Sequence, residues 1–327
     1  MRKIALEEHF SNKLFEQFDQ EAFRDRGFPV LTDPKRKDYL DHGFFAPVEE
    51  YRIPKMEENE VVLQILSPDT QAVQYLTDSR EAIRMAKTIN DMAQEMVGRN
   101  MQHFKAFAIL PMQDPKAAAD ELALRVKEQG FVGGFVHGHT HFSYYDEEKY
   151  DPVWDKLEEL DVPFYMHPSN PEADQIRMYE GYEELLGNTW NWGCVTATHI
   201  LRMVFGGVFE RHPRLKVVIG HMGEMLPYML GRLDEGYEGR RIWEKGKITN
   251  PPSFYLKRNL YITTSGGYRP ETMRCAVEAL GADHLMFASD YPHFPMEQAA
   301  RQVENSGLSQ RELEQICYEN ASQLLKL

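Results

Sequence analysis

Eight short apolar runs separated by helical stretches constrain this chain more than any other feature. They fall at residues 4–6, 61–66, 104–110, 131–136, 162–166, 215–219, 260–264 and 285–288. Most lack in/out alternation, as expected for parallel strands buried on both faces. The segments between them carry helix punctuation. Asp114-Pro115 opens a segment that runs to Gln129 and stops at Gly130, in the order N-cap, N1 proline, C′ glycine. Asp151-Pro152 opens another, ending near Leu160. Ala82, Ala86, Ile89, Ala93 and Met96 mark one apolar face at helical spacing. Ser309 with Glu312 reads as a capping box ahead of a last helix carrying Leu313, Ile316, Cys317 and Leu324. Strand–helix alternation repeated eight times predicts an α/β fold, a (β/α)8 TIM barrel spanning 1–327 as one domain. The rival, a doubly wound open sheet, would carry a glycine-rich phosphate loop after its first strand, and none follows residues 4–6.

At 327 residues the chain exceeds the ~250 of a minimal barrel, so insertions are expected. Residues 11–58 follow the first strand and carry Phe15, Phe18, Phe23, Phe28, Tyr39, Phe44, Phe45 and Tyr51. Residues 169–192 follow the fifth and carry Met178, Tyr179, Tyr182, Trp190 and Trp192. Both leave C-terminal strand ends, so both are expected to roof the barrel mouth. Satellite packing or subunit contact explains any single aromatic equally well.

Bulk properties remove several function classes. A net charge of −14 argues against nucleic acid or anionic membrane as partner. Cys194, Cys275 and Cys317 have no paired spacing, which argues against a disulfide framework or cysteine zinc site. No apolar stretch approaches the ~18 residues that span a bilayer, and the N-terminus lacks a signal-type apolar region. A cytoplasmic location is the expectation.

Barrel enzymes place their chemistry at the C-terminal ends of strands. Those ends here supply Glu7 and His9, then Ser67, then His137, His139 and His141, then His167, His221, Ser265 and Asp290. Residues two apart on a strand share a face, so Glu7 and His9 reach one point inside the barrel while Glu8 turns away. With His167 and Asp290 they make a two-histidine, two-carboxylate set, suited to one divalent ion, Zn²⁺ or Mn²⁺.

These motifs carry a resemblance. Residues 5–10 (ALEEHF), 167–170 (HPSN), 220–228 (GHMGEMLPY), 263–266 (TTSG) and 289–292 (SDYP) resemble the amidohydrolase superfamily. Within it they look like the largely non-hydrolytic aminocarboxymuconate-semialdehyde-decarboxylase branch, and most of all its hydroxybenzoate decarboxylases. The resemblance covers nearly the whole chain and is weakest over 11–58. It implies an amidohydrolase-type barrel with Glu7, His9, His167 and Asp290 as metal ligands. His221 then lies beside the ion, supported by Glu224, and Arg232 meets the substrate carboxylate. His139 is expected in the pocket and His141 in a solvated loop. The initial Glu-x-His, where many hydrolases carry His-x-His, favours decarboxylation. The implied activity is reversible, non-oxidative loss of CO₂ from a hydroxylated aromatic acid, with His221 assisting phenol deprotonation and Asp290 as a general acid of raised pKa. A homodimer or homotetramer is expected. Three rivals use the same residues or none of them: a lactonase-like hydrolase, a hydratase, and a non-enzymatic scaffold.

Overall fold

The computed structural model describes residues 1–15, 17–19, 47–141, 143–171, 175–241 and 246–327. Among the described residues, nine strand segments occupy the eight positions expected. They are β1 (Lys3–Phe10), β2 (Val61–Pro68), β3 (Phe104–Ala106), β4 (Ala108–Ile109), β5 (Gly134–His137), β6 (Phe164–His167), β7 (Val217–Ile219), β8 (Leu260–Thr263) and β9 (Leu285–Met286). Every pairing between these strands is parallel. β3 and β4 are halves of one strand broken at Phe107, whose amide still donates to the Leu66 carbonyl at 3.0 Å. The Leu6 amide donates to the Phe287 carbonyl at 3.0 Å, which ties β1 to the chain leaving β9 and closes the ring. The result is a (β/α)8 barrel, and the apolar runs lack alternation because helices cover the outside while side chains fill the inside.

The helix signals act largely as read. Asp114 accepts the Ala117 amide at 3.0 Å, and Gly130 ends helix Pro115–Gln129 at φ +72°, a conformation a side chain would strain. Ser309 and Glu312 form the capping box. Asp151 differs. It sits inside the first turn of helix Asp151–Leu160, and its carboxylate pairs with Arg211 at 2.8 Å instead of capping. Ala82, Ala86, Ile89 and Ala93 bury the inner face of helix Ser79–Arg99, with Met96 half-buried.

Of the first insertion, Phe15 is buried with its ring 5.7 Å from Phe10, Phe18 is half-buried and Tyr51 is exposed. Phe23, Phe28, Tyr39, Phe44 and Phe45 lie outside the described residues. The second insertion forms short turns at Ile176–Tyr179, Glu183–Leu185 and Gly187–Thr189, with Tyr179 buried and Met178, Tyr182 and Trp190 exposed. No helix among the described residues is long and apolar enough to cross a membrane.

Candidate metal centre

β1, β6, β7 and β9 deliver Glu7, His167, His221 and Asp290 to one spot, their ligand atoms all within 4.8 Å of one another. Glu7 is fully buried. Its Oε2 accepts the Tyr165 hydroxyl from β6 and, at 3.1 Å, the Thr263 hydroxyl from β8. Three strands of the ring can meet this way only through the interior. Glu7 Oε1 has no hydrogen-bond donor among the described residues. It lies 3.5 Å from His167 Nε2 and 3.4 Å from His221 Nε2. A buried anionic oxygen without a donor, facing two imidazole nitrogens, is what a divalent cation would satisfy. The donor set therefore fits the ion expected.

Neighbouring bonds set the imidazoles. His167 Nδ1 lies 2.9 Å from the Pro168 carbonyl, which assigns its proton there and leaves Nε2 a lone pair toward Glu7. His221 Nδ1 lies 2.9 Å from Glu224 Oε1. His9 borders the group: its Nε2 is 3.1 Å from Asp290 Oδ1, its Nδ1 3.2 Å from Ser67 Oγ, and its ring 4.9 Å from that of His167.

Burial holds His167 well below the usual imidazole value, and the neighbouring histidines add to this. Burial also opposes charge on His221, but Glu7, Glu224 and Asp290 outweigh it and raise His221 well above 6.5. Asp290 goes against expectation. Burial alone would raise it, yet hydrogen bonds from His221 and His9 hold it far below the ordinary carboxylate range. In this geometry the proton of the His221–Asp290 pair belongs to the histidine, because its neighbours are anionic.

Backbone strain concentrates here. Glu7, His221 and Asp290 adopt φ of +61°, +53° and +64°. Non-glycine residues enter that region rarely, and surrounding contacts must over-determine them.

Residues 46–327 match the family described as Amidohydrolase. The chain belongs to the amidohydrolase family. This amidohydrolase is 38% identical over 335 residues to γ-resorcylate decarboxylase of Polaromonas sp. strain JS666, covering 99% of this chain and 98% of the relative. It superposes on a crystal structure of 2,6-dihydroxybenzoate decarboxylase complexed with 2,6-dihydroxybenzoate, with TM-score 0.91 and 35% identity, covering 100% of both chains. It also superposes on dihydroxybenzoic acid decarboxylase from Polaromonas sp. JS666, determined with bound manganese and the inhibitor 2-nitroresorcinol. There the TM-score is 0.88 and the identity 38%, over 100% of this chain and 97% of that one.

Arg232 of this amidohydrolase lies at the surface of its own chain. It lies on helix Leu226–Arg241 with its side chain 73% exposed, paired with Glu235 at 2.8 Å. Leu226, Leu230 and Tyr237 bury the opposite face, which turns Arg232 to solvent beside exposed Tyr228 and Met229. His139 is buried with its ring 5.5 Å from Tyr144, apart from the four-residue group. His141 is half-buried and bonds the Leu76 carbonyl, so it is not a freely solvated loop residue. Among the described residues one metal-type group occurs, and the 137–141 histidines are not in it.

Sequence reasoning missed Tyr165, Thr263 and Gly220. Tyr165 had a signal, since it stands two residues before His167 and so shares its face. Thr263 stands likewise two before Ser265, whose hydroxyl accepts the His221 amide at 2.8 Å. Gly220 gave no such signal: the Glu7 carboxylate lies directly over it.

Proposed function

We propose that this amidohydrolase is a metal-dependent, non-oxidative decarboxylase of hydroxybenzoate-type acids. The observation that carries the reading is the pairing of full-length similarity to γ-resorcylate decarboxylase with a buried carboxylate–imidazole group at the barrel mouth. Glu7, His9, His167 and Asp290 would hold one divalent ion, Mn²⁺ or Zn²⁺, with His221 against it. When bound, that ion supplies Lewis acidity and a template toward the carboxylate and an ortho oxygen.

The chain's own residues handle the proton. His221, oriented by Glu224, first passes its Nε2 proton to Asp290 and then accepts the proton of the substrate phenol at Nε2. Asp290 delivers the proton it received to the electron-rich ring carbon that bears the carboxylate, and solvent returns a proton to the phenolate. The ring–carboxylate bond breaks, its electron pair returns to the ring, and CO₂ leaves. One proton enters and one CO₂ departs, so high bicarbonate should drive ring carboxylation. Trp192, its ring 6.1 Å from His167 and its Nε1 donating to Asn170 Oδ1 at 2.8 Å, supports the second insertion as a roof over this site.

An exposed Arg232 serves a substrate carboxylate only across an interface between copies. Its role and a homodimeric or homotetrameric assembly are therefore proposed together, supported by the apolar Met225, Tyr228 and Met229 beside it. A cytoplasmic location is supported by three cysteines that form no disulfide.

The test measures metal content, then screens dihydroxybenzoates, salicylate and carboxyvanillate for CO₂ release. Chelation should abolish turnover and Mn²⁺ restore it. Lactone opening without CO₂ release would replace this reading with a hydrolase. Asp290→Asn that keeps metal and full turnover would remove the acid role.

A further inference from the structure

We propose that Glu8 is a positioning residue: a buried carboxyl that locks the end of β1 to the chain after β9, and so fixes Glu7 and His9 relative to Asp290. This rests on the reading of those residues as the ion-holding group.

The need for such a lock is visible in the backbone. The β1–β2 register shifts between Ala5 and Glu8, and both Glu7 and Asp290 leave ordinary strand dihedrals. Backbone bonds flank the interval, Leu6 amide to Phe287 carbonyl at 3.0 Å and His9 amide to Tyr291 carbonyl at 2.7 Å, and Glu8 adds a side-chain tie between them. Its Oε1 accepts the Ser289 amide at 2.7 Å, and the Ser289 hydroxyl reaches its two oxygens at 2.9 and 2.7 Å. Its Oε2 accepts Gln64 Nε2 from β2 at 2.8 Å. Gln64 Oε1 in turn accepts Arg52 Nε at 2.7 Å, and Arg52 donates to the His9 carbonyl at 2.8 Å. The loop returns to β1 one residue beyond its start.

Its polarity is fixed. A guanidinium only donates, so Gln64 must present its oxygen to Arg52 and its amide nitrogen to Glu8. The Ser289 amide also only donates. Both oxygens of residue 8 therefore face obligate donors, whichever protonation state it holds. Glu8, Arg52, Gln64 and Ser289 are all buried, so water does not replace a lost partner. Glutamine at position 8 keeps the shape but must aim one NH₂ at a donor.

The experiment titrates chelator-treated native protein and the Glu8→Gln variant with Mn²⁺, followed by electron paramagnetic resonance, alongside thermal melts and steady-state kinetics. The expected variant melts cooperatively, binds Mn²⁺ about 10–100-fold more weakly, gives an altered Mn²⁺ line shape, and loses kcat with KM changed far less. Ser289→Ala keeps the amide bond and should move the same readouts less. Native affinity, line shape and kcat in Glu8→Gln overturn the proposal alone. If Glu8→Gln does not fold, native values in Ser289→Ala overturn it. A native chain that binds no Mn²⁺ overturns the metal-site reading and this one together.

Discussion

Substituting Gly220 by alanine adds one carbon at the point where the C-terminal end of β7 meets the Glu7 carboxylate. Gly220 has φ −77° and ψ −168°, an extended conformation open to any residue, so the backbone contributes no strain. The new Cβ would lie 2.4 Å from Glu7 Oε2, 2.8 Å from Oε1 and 2.8 Å from Ser265 Oγ. Ordinary carbon–oxygen contacts begin at about 3.3 Å, so the carboxylate must retreat by about 1 Å. That retreat breaks its bonds to the Tyr165 and Thr263 hydroxyls, each worth about 1.5–3 kcal/mol for a charged acceptor. The combined loss, about 3–6 kcal/mol, is a large share of a typical stability of about 5–15 kcal/mol. A ~1 Å misplacement at a reacting centre costs on the order of a hundredfold in rate. Gly220→Ala should therefore lower Tm by several degrees, retain well under one metal per chain after dialysis, and release CO₂ at least about a hundredfold more slowly. Gly98→Ala is the control: its Cβ meets nothing within 4 Å on helix Ser79–Arg99, and it should be stabilised by up to about 1 kcal/mol. A Gly220→Ala protein with full metal and turnover within about twofold of native would falsify the placement of Glu7.

Tyr165→Phe removes one donor from Glu7 without adding volume. Metal affinity should fall about tenfold in a titration while the melt stays cooperative. Arg125→Met leaves Glu121 buried without the guanidinium that donates to it at 2.6 Å, so unfolding should be easier by about 3–5 kcal/mol in urea, with kcat unchanged at 25 °C. His199 is held well below 6.5 by burial, then by His139 and Arg202, and its Nε2 accepts the Tyr145 amide at 2.9 Å. The unfolded chain binds that proton first, so stability is present above pH 6.5 and is lost as pH falls below it, by about 1.4 kcal/mol per unit from this residue. Urea melts of native protein and His199→Asn between pH 7 and 5 should show the shallower slope in the variant.

The barrel was legible because its strands are buried on both faces, which leaves continuous apolar runs that helices do not imitate. The grouping was legible because a barrel delivers strand ends to one mouth: Glu7, His167 and Asp290 needed only their position after a run, while His221, read as lying beside the ion, sits in the group and His9, read as a ligand, borders it. What escaped were orientations set by irregular backbone. Period-2 reasoning turned Glu8 away from Glu7, and Glu8 does face Ser289, but a register shift and a left-handed Glu7 intervene that no alternation pattern encodes. Arg232 is turned outward by regular helix geometry. Leu226, Leu230 and Tyr237 follow helical spacing and mark the inward face, so within one chain Arg232 points to solvent. Asp290 was expected to hold a proton because it is buried, but burial lost to the two histidines that donate to it.

The left-handed backbone at Glu7, His221 and Asp290 bears on portability. Transplanting four side chains onto another barrel would not transplant this site, because a regular strand end would aim them elsewhere. A designer would have to copy the kinks first and the side chains second. A catalogue of tolerated substitutions at these three positions should favour glycine, asparagine and aspartate for folding, even where chemistry forbids them.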